Sequence, residues 1–200
     1  MRPSIRLPLL SILAVALCGF PAKGHAQRLY RLEVSAAGMY QSFDQATDLA
    51  GAAGGQLRVG YWLPYRLGVE LEGSYVSPKT ESAGVTVDVK SIAASLLYNI
   101  PLGTYSTAYL RGGYGSFTYG GSCPPISIPG SGPCGSTGAI IAGLGLRLPL
   151  SPTLMIRTEG AVVRSSAFSF SNLNASLGLS LMLGSSPLTD TDDDGVYDRY

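Results

Sequence analysis

Residues 172–183 read Asn-Leu-Asn-Ala-Ser-Leu-Gly-Leu-Ser-Leu-Met-Leu. Leu173, Ala175, Leu177, Leu179, Leu181 and Leu183 share one parity. Asn172, Asn174, Ser176, Gly178 and Ser180 share the other. A period of two puts each set on its own face of a β-strand. A helix with one buried face would instead need apolar residues at every third or fourth position.

Working back along the chain, seven more stretches carry the same period. Leu32, Val34 and Ala36 alternate with Arg31, Glu33 and Ser35. Leu57, Val59, Tyr61 and Leu63 alternate with Gln56, Arg58, Gly60 and Trp62. Leu67, Val69, Leu71 and Tyr75 stand against Glu70, Glu72 and Ser74. Ile92, Ala94, Leu96 and Tyr98 stand against Ser91, Ser95 and Asn99. Ala108, Leu110 and Tyr114 oppose Arg111, Gly113 and Gly115. Ile140, Ala142, Leu144, Leu146 and Leu148 oppose Gly143, Gly145 and Arg147. Leu154, Ile156 and Val162 oppose Arg157 and Glu159. Eight segments of about ten residues, each with one apolar face, predict an all-β fold: an eight-stranded antiparallel transmembrane β-barrel.

The links alternate in length. Pro64-Tyr65, residues 101–106 and residues 149–152 are short. Residues 41–55, 77–89, 118–136 and 164–171 are long. Short periplasmic turns and longer extracellular loops have this alternation. Parity alone does not say which face is inside, since a soluble eight-stranded barrel turns its apolar face inward. Here the polar face is rich in Gly, Ser and Ala, where a water-facing one would carry many Lys and Glu. Small residues between a few long ones fit a narrow, filled lumen. The apolar face is Leu, Val, Ile and Ala, with tyrosines near the segment ends, as a lipid band with aromatic girdles requires. One stretch departs from the pattern. Val85, Val87 and Val89 have the opposite parity to Ile92, Ala94 and Leu96. A bulge near Lys90-Ser91, or a strand extension above the bilayer, accounts for that switch.

Composition agrees with a barrel in lipid. Charged residues are 14% of the 200 and hydrophobic residues 46%. Disorder is excluded by the apolar content, and a nucleic-acid partner by the lack of basic excess. Residues 1–26 read as a secretory signal peptide. Arg2 and Arg6 precede an apolar stretch over 7–20, and Gly24-His25-Ala26 places small residues before Gln27. Its removal leaves eleven basic and thirteen acidic residues, a net charge of −2, and takes the single histidine, His25. A chain without imidazole has neither serine–histidine hydrolysis nor histidine-ligated zinc open to it. Residues 27–184 then form the barrel, and residues 185–200 an acidic tail.

The lumen parity holds Arg31, Glu33, Arg58, Glu70, Glu72, Arg111, Arg147, Arg157 and Glu159, five positive and four negative charges. Unpaired charges in a dry lumen are costly, so these residues are expected to pair or to hold water. An ion-pair network that plugs the barrel is the plain reading, and a gated ion path the competing one. Glu70 and Glu72 share a face two residues apart, the arrangement of a glycosidase pair. Adjacent carboxylates beside arginines are more often structural.

The segments also resemble the small OmpA-like outer-membrane barrel domains. The resembling pieces are Gly68-Val-Glu-Leu-Glu-Gly-Ser-Tyr75, Tyr109-Leu-Arg-Gly-Gly-Tyr-Gly115 and Gly143-Leu-Gly-Leu-Arg147. The stretch Gly178-Leu-Ser-Leu-Met-Leu183 resembles the signal read by the barrel-assembly machinery, without the usual terminal Phe. The resemblance covers about residues 29–183. It implies the bacterial outer membrane, a setting of outer-membrane lipid and lipopolysaccharide, and a non-enzymatic role in envelope structure or surface interaction. A narrow channel for ions or small solutes is the alternative. A lipid-modifying enzyme is a third, disfavoured by the missing histidine. The surface ligand is not named by any motif.

Two features lie beyond the strands. Cys123 and Cys134 bracket a turn-rich interval in the third long link, and a secreted context with an even count points to a disulfide. Asp190-Thr-Asp192-Asp-Asp194-Gly195-Val196-Tyr-Asp198 has the spacing of an oxygen-ligand calcium loop. Asp190, Asp192, Asp194 and Asp198 would supply side-chain oxygens and Val196 a carbonyl. The segment resembles a partial thrombospondin type 3 repeat. Calcium at this tail is the one cofactor expected.

Overall fold

The structure, a computed structural model, describes residues 31–63, 65–102, 106–121, 135–151, 153–165 and 171–184. Its strands are β1 (Leu32–Ser42), β2 (Ala52–Trp62), β3 (Leu67–Val76), β4 (Val87–Pro101), β5 (Thr107–Gly121), β6 (Gly135–Pro149), β7 (Leu154–Ser165) and β8 (Ser171–Leu183). Each pairs antiparallel with its neighbours in sequence, and β8 closes onto β1. The result is an eight-stranded barrel.

The register fixes the shape of that barrel. From Leu32 the ladder passes through Tyr61, Val69, Leu96, Gly112, Ala142, Val162 and Leu173. It returns to β1 at Ser42, ten residues above its start. A stagger of ten over eight strands corresponds to a strand tilt of about 40°. Strands so tilted carry an apolar band of about 25 Å.

The alternation sorts the two faces. On the outside Ile92 is 73% exposed, Leu57 66% and Leu71 63%. A face this apolar on every strand suits hydrocarbon, not water. Tyr40 and Tyr75 flank the band at the long-loop end, Tyr61 and Tyr98 at the short-turn end. Among the described residues, the outward strand positions hold only three charges, Asp88, Lys90 and Arg164, all near the long loops. At the β2–β3 turn, Tyr65 and Arg66 adopt positive φ (61° and 67°). Such consecutive left-handed residues match the twist of a tight hairpin.

Inside, the upper half is apolar. Phe43, Leu49, Val87, Val89, Phe117, Tyr119, Ile141 and Val163 form a buried cluster with Ala93, Ala139 and Ala161. The valine switch is thereby explained without a bulge. β4 alternates without interruption from Val87 to Ile100, so Val87 and Val89 point inward above the lipid band. The link read over 41–55 is shorter than the sequence suggests, because β1 runs on to Ser42 and β2 starts at Ala52. Its remaining residues fold over the mouth. Asp44 caps a single 3-10 turn, Gln45–Thr47, by accepting from Ala46 N–H. Asp44 also accepts from Ser171 N–H and donates its own N–H to Asn172 Oδ1. Ala50 N–H and Glu81 N–H tie this loop to the next one through Lys79 O and Asp48 O, and Ser82 donates to Asp48. Phe43 and Leu49 are thus held down into the apolar cluster.

Candidate functional site

Below that cluster, eight charged side chains cross the lumen. Cross-strand register starts the arrangement: Arg58 and Glu72 are direct partners on β2 and β3. Arg58 gives Nε to Glu72 Oε2 at 2.6 Å and a two-pronged contact to Glu159, 2.9 and 2.8 Å. Glu159 lies on β7, so this contact spans the barrel. Arg111 on β5 bridges the same two carboxylates, each at 2.7 Å, and donates Nε to Ser95 Oγ.

A second group lies nearer the short turns. Arg157 grips Glu70 with both terminal nitrogens, 2.5 and 3.1 Å, and reaches Glu159 at 3.2 Å and Glu33 at 3.3 Å. Arg147 donates Nε to Glu33 Oε1 at 3.0 Å and Nη1 to Asn99 Oδ1 at 2.9 Å. Trp62 Nε1 donates to the other oxygen of Glu33 at 3.2 Å. All eight ionic side chains are buried. Desolvating a charge is offset only when partners satisfy it, and planar guanidinium forks do this well.

Tyr109 joins the two groups. Its hydroxyl donates to Glu159 at 2.7 Å and accepts from Arg157 Nε at 2.8 Å. Its ring lies 4.2 Å from the Arg147 guanidinium and 4.8 Å from that of Arg157. Those two arginines are direct cross-strand partners, a like-charge juxtaposition. The negative ring face between their charges relieves it. Glycine at 145 makes room for the ring. A Cβ there would stand 2.3 Å from Tyr109 Oη and 2.4 Å from Cζ.

One residue read into this group lies elsewhere. Arg31 is exposed, and β1 begins only at Leu32. It has the lumen parity but sits before the ladder, at the wet short-turn rim. Without it the network holds four arginines, 58, 111, 147 and 157, against four glutamates, 33, 70, 72 and 159. Its formal charge is zero. Glu70 is gripped by Arg157 and Glu72 by Arg58 and Arg111, with Arg58 also 3.8 Å from Glu70, so the two do not form a free acid–base pair. Tyr109 carries no charge that marks it in the sequence, although it shares the parity of Arg111 two residues on. Parity also places Trp62 and Asn99 inward. Cys123 and Cys134, the tail ligands Asp190, Asp192, Asp194, Val196 and Asp198, and the leader all lie outside the described residues.

The comparisons agree with this architecture. A family model described as the outer membrane protein beta-barrel domain matches residues 10–186. Among solved structures, Neisserial surface protein A is similar, with a TM-score of 0.53 and 13% identity, covering 78% of this chain and 98% of that one. The outer membrane protein OprG from Pseudomonas aeruginosa gives 0.53 and 13%, covering 78% and 97%. The outer membrane protein AlkL, solved in lipid bilayers, gives 0.54 and 14%, covering 86% and 99%. Identities this low speak for the fold alone. A search of curated protein sequences finds no match. With the closed ring, the lipid-suited face and a family match across most of its length, the chain belongs to the outer membrane protein beta-barrel domain family, and its place is the bacterial outer membrane.

Proposed function

We propose that the protein is a non-enzymatic barrel acting in envelope structure or surface interaction, displaying its long loops to the exterior. The observation that carries this reading is the double closure of the lumen. A neutral network of four arginines and four glutamates blocks the lower half, and an apolar cluster with a tied-down loop covers the upper half. A conducting lumen needs a wet, continuous path. The competing reading, a narrow solute channel, is separated by planar-bilayer recording on the full chain. Small or absent currents are expected, and porin-sized steady currents would overturn the reading. The proposal extends to three segments outside the described residues. Residues 1–26 direct secretion, Cys123 and Cys134 pair in the periplasm, and the 190–198 segment binds calcium weakly. Insertion through the barrel-assembly machinery, guided by the last strand, and contact with lipopolysaccharide around the band complete it.

A further inference from the structure

The short-turn rim carries charge of one sign. Among the described residues, the acids outside the ion network, Asp44, Asp48, Glu81 and Asp88, all lie at the long-loop end. At the other end stand Arg31 and Arg66, both exposed. Neither guanidinium has an ionic partner among the described residues. The ladder sets their spacing. Trp62 N–H donates to Arg31 O, and Trp62 pairs with Gly68. Arg66 lies two residues below Gly68, where its carbonyl accepts from Asn99 N–H. Two strand spacings and two residues put the arginine backbones about 12 Å apart. The end of β8 arrives at the same place. A Cβ on Gly184 would stand 3.6 Å from Arg31 N. The φ of Gly184, 114°, is one that glycine adopts readily, and it turns the backbone off the line of β8. Beyond it the sequence holds Asp190, Asp192, Asp193, Asp194 and Asp198 against one basic residue, Arg199.

We propose that the rim of Arg31 and Arg66 is the docking surface for the chain's own acidic tail, residues 185–200, and that docking competes with calcium for the same aspartates. Charge complementarity selects the occupant, and the tether selects it over an unattached partner. From Gly184 to Asp190 the chain spans up to about 20 Å, which covers both arginines. A linker this short holds the carboxylates near the rim at an effective concentration on the order of millimolar. Exposed ion pairs are individually weak, so the contact is reversible. Calcium needs the oxygens of Asp190, Asp192 and Asp194 together, and a carboxylate engaged by a guanidinium withholds them. The docking goes beyond the proposed function, whereas the competition rests on its calcium reading.

The test uses the full chain in phosphatidylcholine nanodiscs with calcium chelated, and reads the Nε–H NMR signals of Arg31 and Arg66. Replacing Asp190, Asp192 and Asp194 together by Asn should shift both signals. High salt should shift the wild-type signals the same way, because exposed pairs are screened. Signals that ignore the Asn substitutions overturn the docking. Anionic phosphatidylglycerol is the control for lipid: if it moves the signals and the Asn substitutions do not, headgroups hold the rim and the proposal fails. Calcium is then titrated by calorimetry into the wild type and into Arg31→Gln/Arg66→Gln. With the arginines gone, binding should tighten about two- to tenfold, since the competent fraction of the tail rises. Unchanged affinity overturns the competition. Absence of calcium binding in both proteins would sink the calcium reading and the competition with it, while the NMR signals decide the docking on their own.

Discussion

At the scale of single residues, the lumen depends on a few exact fits. Arg111 pairs with two carboxylates and a hydroxyl while buried. Removing one partner of a buried ion pair strands the other, at a cost of about 3–5 kcal/mol. Gly145→Ala acts on the same network by another route, since its Cβ intrudes on the Tyr109 ring. Overpacking of this kind costs about 1–3 kcal/mol. Urea unfolding in vesicles should therefore show both Arg111→Ala and Gly145→Ala destabilised, Arg111→Ala more so, with little change in conductance. A loop residue gives a prediction with a pH sign. The Ala46 N–H, then that of Ser171, hold the Asp44 carboxyl below the usual aspartate value of 3.8. A depressed folded pKa means that the contribution is fully present above the unfolded value and is lost as pH falls through the folded one. Hydrogen-exchange protection of the Ala46 and Ser171 amides should hold from neutral pH to about pH 4 and weaken in stronger acid. Protection that first fails near neutrality would contradict the assignment.

At the scale of elements, all eight strands were legible because one face meets lipid and the other the lumen. Leu177, Leu179 and Leu181 against Gly178 and Ser180 leave little ambiguity. Legibility fell where both faces are apolar. Ile140-Ile141 and Val162-Val163 carry one residue outward and one into the upper cluster, so hydropathy alone cannot sort them. The same holds for Val87 and Val89, whose inward parity resembles a fault in the pattern until the plug above the band is known. Within the site, the glutamates and four of the five arginines follow from parity. Arg31 does not belong with them because parity says nothing about where a ladder starts. The links and the tail carry two expectations of their own. Proteolysed, unreduced protein should yield Cys123 and Cys134 in one linked species by mass spectrometry, and free thiols in protein taken from native envelopes would count against the bridge. Calorimetric titration of the full chain should show calcium binding on the order of 10⁻⁴ to 10⁻³ M, the range of extracellular calcium modules. A chain shortened after Gly184 should lose that signal. Micromolar binding would contradict this weak range.

The whole molecule is a ring whose stability rests on closure. Each strand has two neighbours, so no backbone edge is left to lipid, where unpaired amides cost several kcal/mol each. Closed barrels of this kind resist detergent until heated. Unboiled protein from outer-membrane fractions should therefore migrate differently on an SDS gel from boiled protein. A monomer that stays in solution without detergent would remove the membrane reading altogether. Closure has a further consequence. The joint between β1 and β8 sets Leu32 beside Leu183, so the first and last strands meet at the same rim. Every other hairpin forms between neighbours in the chain, but this seam waits for residues about 150 positions apart. The ring thus has a beginning and an end in time but none in space. A chain spliced across the seam and opened at one of the short turns would trace the same circle from a different starting strand.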